Sequence, residues 1–245
     1  MSELRSELLE MLKEPEVLDD ELRRRLLEVL LKPVRPRKMT YEEFLAWADE
    51  DTLAEWVDGE VVMTSPASKR HQDLVGFLYE VMHTYSQMHG LGAVLQAPFQ
   101  MKLVRSGREP DLLFVANEHL ERLKETYLDG PADLVVEIVS PESAGRDRGE
   151  KFYEYERAGI PEYWLINPGI KRAEFYTLDA EGHYTLVLCG TGGVYRSVVV
   201  PGFWLEVEWL WAEPLPSPLR VVAEIAGVAP DLVEAFEQAL RGGRR

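Results

Sequence analysis

A glutamate interrupts an otherwise aliphatic run, Leu134-Val135-Val136-Glu137-Ile138-Val139. The β-branched neighbours favour extended backbone, and a run without polar alternation predicts a strand covered on both faces. An ionised carboxylate in such a strand is unfavourable unless a cation or several hydrogen bonds compensate it. A partner arginine or an edge position facing solvent are the ordinary answers; a reactive acid is the other. The chain must therefore build a layered sheet and account for Glu137.

Asp111 raises the same question. It follows Pro110 and opens the apolar stretch Leu112-Leu113-Phe114-Val115. If the two strands are neighbours, the carboxylates approach to about 4 Å, and at an effective dielectric near 20 they repel by about 4 kcal/mol. One acid then takes a proton, or a cation sits between them. Oxygen donors favour a hard cation, Mg2+ or Mn2+, over zinc. Lys151 falls in the helix expected over residues 147–158. Folded back on the Glu137 strand, that helix brings the amine beside the carboxylate, where it can orient a water and stabilise charge on a phosphate. Taken alone, Lys151 reads as a surface lysine paired with Asp147, Glu150 or Glu154.

Around these residues the order is mixed α and β about one sheet, an α/β class. Residues 1–31 predict two amphipathic helices, with Leu4, Leu8, Met11 and Leu12 on one face and Leu22, Leu26, Val29 and Leu30 on the other. A basic, proline-containing linker over 32–38 closes this extension. The main domain is expected over 39–211. It opens with Thr40 and Glu43 at capping-box spacing, then a hairpin about Asp58-Gly59, then a helix over roughly 68–89 stopped by Gly90. Strands are expected near 92–104, 111–116, 134–140, 162–167, 173–178, 183–189, 194–200 and 203–209, with a short helix within 117–130. Residues 212–245 form a proline-rich linker and a helical tail.

The net charge of −16 argues against a nucleic-acid partner, because such binding rests on neutralising phosphates. The excess lies in residues 39–211, with 29 acids against 14 bases. It reads either as a solvated acidic surface or as part of an acidic metal site. The single cysteine, Cys189, and the lack of an 18-residue apolar run lead to the expectation of a cytoplasmic protein without a membrane partner.

Six segments, in this order, carry a resemblance: Glu-Trp-Val-Asp-Gly-Glu (55–60), Ser-Pro-Ala-Ser-Lys-Arg-His-Gln (65–72), Glu-Pro-Asp-Leu (109–112), Asp-Leu-Val-Val-Glu-Ile-Val-Ser-Pro (133–141), Arg-Asp-Arg-Gly-Glu-Lys (146–151) and Ala-Gly-Ile-Pro-Glu-Tyr-Trp-Leu-Ile-Asn-Pro (158–168). Over residues 39–211 the chain resembles the Uma-type restriction endonuclease family of the PD-(D/E)XK nuclease superfamily. The resemblance implies a restriction-endonuclease-like core, a magnesium-dependent phosphodiester hydrolase, often dimeric, with Asp111 and Glu137 as its two acids. It departs from the superfamily pattern at Val139, where a lysine is called for, and suggests that this lysine has moved to Lys151. The expected metal donors are Asp111, Glu137 and the carbonyl of Ile138. Glu60 is a further candidate as a third acid, and His71 as a phosphate holder at a helix N-terminus beside Lys69 and Arg70. Lys69, Arg70, Arg105, Arg108, Arg146 and Arg148 form a candidate track for DNA, with a homodimer suited to paired cuts. Tyr153, Tyr155, Tyr163 and Trp164 read as core packing. The rival expectation is a non-catalytic interaction module that kept the fold; a hydrolase of RNA or of a small phosphate is a third.

Overall fold

The computed structural model describes residues 38–48, 54–63, 67–140 and 143–242; the two helices expected over 1–31 lie outside them, as does the linker up to residue 37. Thr40 starts α1 (Tyr41–Trp47), accepting the Glu43 amide while the Glu43 carboxylate accepts the Thr40 amide. β1 (Ala54–Val57) and β2 (Glu60–Met63) form the expected hairpin, and the positive φ of Asp58 and Gly59, 50° and 89°, is what a two-residue primed turn requires. α2 (Lys69–His89) begins at Ser68, whose hydroxyl accepts the His71 amide, and ends at left-handed Gly90.

Next come β3 (Gly92–Gln96), β4 (Gln100–Lys102), β5 (Ser106–Arg108), β6 (Leu112–Ala116), a 3-10 turn (Asn117–Arg122) and β7 (Tyr127–Asp129). β8 (Leu134–Ile138) leads through α3 (Ala144–Asp147) and α4 (Glu150–Ala158) to β9 (Glu162–Asn167). β10 (Arg172–Leu178), β11 (Tyr184–Gly190), β12 (Val194–Arg196) and β13 (Trp204–Glu206) follow. A 3-10 turn (Val207–Trp211), α5 (Pro218–Ile225) and α6 (Pro230–Gly242) end the described chain. None of the described helices is long and apolar enough to cross a membrane.

The main sheet has the order β11-β10-β9-β8-β6-β3, and a second sheet the order β2-β1-β5-β4-β7. β8 and β9 are parallel, joined by the α3–α4 crossover, while β6 runs antiparallel to β8. β8 is buried throughout, as its aliphatic composition predicts. Leu134, Val136 and Ile138 join the core under α2, whereas Val135 and Val139 join the core on the other face with Tyr155, Tyr163 and Leu165. Alternation along the strand therefore sends Glu137 to the face that α4 covers. Val221, Val222 and Ile225 of α5 also belong to the core under α2, so the first part of the tail is built into this body.

Several elements differ from the sequence reading. The strand expected over 92–104 is two strands in two sheets, separated at Pro98, which has no backbone donor. The helix expected over 147–158 is broken at Gly149, where a Cβ would lie 2.7 Å from the Gly145 carbonyl oxygen. That close approach lets α3 and α4 fold against each other. The strands expected over 194–200 and 203–209 are shorter because buried Glu162 captures the segment between them. One carboxylate oxygen accepts from the Ser197 hydroxyl at 2.9 Å and from the Val198 and Val199 amides at 2.9 and 3.1 Å; the other accepts from the Trp164 indole at 2.7 Å. Glu162→Gln turns an N–H group toward these donors, and its expected cost is about 2 kcal/mol, read from the urea midpoint.

Candidate active site

The strand register brings the two acids together. β6 pairs Leu112 with Val136 of β8, and the next step along both strands places Asp111 at the level of Glu137. Asp111 accepts the Ile138 amide on Oδ2 at 2.6 Å. Its Oδ1 lies 3.1 Å from Nε2 of His71. The Ser68 cap sets the His71 backbone in the first turn of α2, and the ring turns inward onto Asp111 instead of outward to solvent. Burial disfavours a charged ring, but the hydrogen bond and charge of Asp111 outweigh it and hold the imidazole pKa above its ordinary value.

Glu137 is buried and takes two donors on the same oxygen. The Lys151 ammonium and the Tyr155 hydroxyl, one helical turn apart on α4, each lie 2.9 Å from Oε1. Lys151 is itself buried, 3.1 Å from Glu55 Oε1 and 3.7 Å from Asp147 Oδ1. It is thus an interior cation among three carboxylates. Burial pushes the Glu137 carboxyl upward, Lys151 pulls it down, and the nearby charges of Asp147, Asp111 and Glu55 push it up again. Asp147 is likewise raised, first by burial.

Glu55 is the acid that the sequence reading missed. It is buried on β1, where Lys151, Arg108 at 3.1 Å and the Glu109 amide at 3.2 Å converge on its carboxylate. Burial raises its pKa, but Lys151 and Arg108 more than offset this and hold it below the ordinary value. Glu60, the candidate third acid, is exposed at the start of β2, opposite Val57. Both acids flank one turn; only the packing of α4 over β1 decides which one is enclosed. Tyr155, read as packing, is also a donor to the site.

Of the six bases of the expected track, Arg108 is withdrawn from the surface. Arg108 is buried between Glu55 and Glu154, 2.7 Å from the latter. Lys69 pairs with Asp73, Arg70 donates to the Leu210 carbonyl, Arg105 to Asp58 and Arg148 to Glu174. Val139, where the superfamily pattern calls for lysine, is buried in the core under α4.

A family model described as "Uma2: Putative restriction endonuclease" matches residues 41–208, more than half of the chain. The chain belongs to the Uma2 family. Its fold is similar to that of a crystal structure titled as a putative nuclease belonging to DUF820 from Anabaena variabilis ATCC 29413, with a TM-score of 0.61 and 13% identity over 71% of this chain and 97% of that one. No curated protein matches the chain.

For a Uma2 chain the donor set bears on a divalent ion. Among the described residues no group of three or more Asp, Glu, His or Cys side chains is placed to hold a metal ion. Two carboxylates with a backbone carbonyl nonetheless suit Mg2+, which fills its remaining positions with water and phosphate. Two buried atoms at the site, Asp147 Oδ1 and His71 Nδ1, have no hydrogen-bond partner within the chain. Asp147 Oδ1, beside two carboxyls raised by burial, leaves acceptor capacity that a cation can meet. Asp111, Glu137 and the Ile138 carbonyl are the oxygen donors that would hold such an ion.

Glu109, beside Glu55, is raised as well. Burial and the Glu55 charge push its carboxyl up to about 7 against a hydrogen bond from Gln100. An acid raised on folding binds a proton that the unfolded chain has released, so stability falls as pH rises from 4.5 to about 7 and then levels off. Allowing for partial exposure, the expected fall is about 1–2 kcal/mol, and Glu109→Gln removes it in urea titrations between pH 5 and 8.

Proposed function

We propose that this site hydrolyses phosphodiester bonds in DNA with Mg2+ or Mn2+, held by Asp111, Glu137 and the Ile138 carbonyl. The observation that carries the reading is the meeting of Asp111, Glu137 and Lys151 at one place, in a family described as "Putative restriction endonuclease". A bound divalent ion would supply Lewis acidity toward the phosphate and a more acidic water.

The chain's own residues supply the rest. His71 and the Ile138 amide each take one oxygen of Asp111 and so fix its plane. Lys151 holds Glu137 in place and offers the positive charge nearest to a phosphate that is gaining charge. Glu55, tied to Arg108, keeps the ammonium from swinging away. The acidic charge is reconciled with a DNA substrate because a divalent ion would reverse the local sign of the site. Paired cuts on two strands call for a homodimer.

The test is nicking of supercoiled plasmid by the full chain with Mg2+ or Mn2+, set against Asp111→Ala. No nicking by the wild type, or equal nicking by the variant, removes the proposal. If the wild-type chain also takes up no Mn2+ in calorimetry, the interaction-module reading stands instead.

A further inference from the structure

Tyr155 is fully buried on α4, its ring edge-on against Tyr163 with centroids 5.2 Å apart and planes at 88°. Packing of that kind would be served equally by phenylalanine. The hydroxyl is what packing leaves unexplained, and it is spent on Glu137. Tyr163 in turn donates to the Asp147 carbonyl at 3.1 Å, so the ring that braces Tyr155 is itself fastened to the end of α3.

The terminal torsion of a glutamate is broad and two-fold, so a carboxylate held by one flexible amine can turn. Here two donors on one helix converge on the same oxygen, and one of them is carried by a rigid ring. We propose that Tyr155 is a positioning residue for Glu137 as a ligand of the divalent ion: sharing Oε1 with Lys151, it fixes the rotation of the carboxylate and leaves Oε2 as the oxygen that would meet an ion. This rests on the metal-dependent reading of the site. Groups that orient a ligand in this way typically govern metal affinity by roughly 10–100-fold.

The experiment is calorimetric titration of the metal-free full chain with MnCl2, comparing wild type with Tyr155→Phe, Tyr184→Phe and Glu137→Ala. Tyr184 lies in the same aromatic cluster, but its hydroxyl donates to the Ile160 carbonyl, so it controls for a general loss of packing. The expected result is Mn2+ binding roughly 10–100-fold weaker in Tyr155→Phe and unchanged in Tyr184→Phe. Wild-type affinity in Tyr155→Phe overturns the inference, as does an equal loss in Tyr184→Phe. A melting temperature more than about 10 °C lower in Tyr155→Phe also overturns it, because the hydroxyl would then serve the fold. Unaltered binding in Glu137→Ala sinks the metal-dependent reading itself. Loss there beside wild-type affinity in Tyr155→Phe sinks only the role of the tyrosine.

Discussion

Lys151→Met is expected to cost about 3–5 kcal/mol of folding stability and to abolish plasmid cleavage. The ammonium lies 2.9 Å from Glu137, 3.1 Å from Glu55 and 3.7 Å from Asp147, and all three carboxylates are buried. Methionine fills a similar volume, so the cost is electrostatic: three acids lose their shared cation at once. Burial alone would strip the lysine of its proton, but Glu137, Glu55 and Asp147 hold its pKa well above the ordinary value. A raised lysine pKa stabilises in full below 10.5, its ordinary value, and the effect fades only as pH climbs through the folded-state value. The deficit of the variant is therefore complete at neutral pH, and it shrinks in acid as the carboxylates take up protons. Urea denaturation at pH 7 and pH 4 reads both. Adding Glu137→Gln to Lys151→Met should restore part of the loss, since it removes one of the stranded charges. Stability within about 1 kcal/mol of wild type would mean that the lysine is solvated in solution and does not hold the cluster.

Asp111→Asn is expected to lower Mg2+-supported plasmid nicking by at least about 10³-fold while leaving the urea midpoint nearly unchanged. The asparagine oxygen can still accept the Ile138 amide, and the imidazole can change tautomer to face the new N–H group. The substitution thus removes charge from the metal donor set and spares the local hydrogen bonds. A time course of supercoiled plasmid loss, with urea unfolding of the same preparations, separates the two quantities. Nicking within tenfold of wild type would show that Asp111 serves structure alone.

The parts of this molecule that were legible in its sequence are those governed by short-range pattern. Glu162–Asn167 emerges as a strand with the bounds expected from its apolar centre, and Gly90 and Gly159 end their helices in left-handed backbone. The proximity of Asp111, Glu137 and Lys151 followed from one assumption, adjacent strands with a helix folded back on them. What stayed hidden depends on long-range packing. Glu55 and Glu60 are equivalent acids either side of a turn until α4 covers one of them. Residues 197–200 leave the sheet because a carboxylate some 35 residues earlier takes the Ser197 hydroxyl and the Val198 and Val199 amides. The hydroxyl of Tyr155 has no local signature, since a buried tyrosine and a buried phenylalanine give the same periodicity.

The Lys151 amine stands on a helix, not two residues along the strand that carries Glu137. Its reach is therefore set by how two separate pieces of backbone rest on each other, not by covalent spacing within one of them. Val135, Val139 and Ile160, buried with Tyr155 in the seam under α4, therefore help to set where that amine rests. If the proposed nuclease activity holds, trimming or enlarging any of them by a methylene would retune turnover from a distance, and laboratory evolution of such a chain should find rate-changing substitutions there as readily as around the acids.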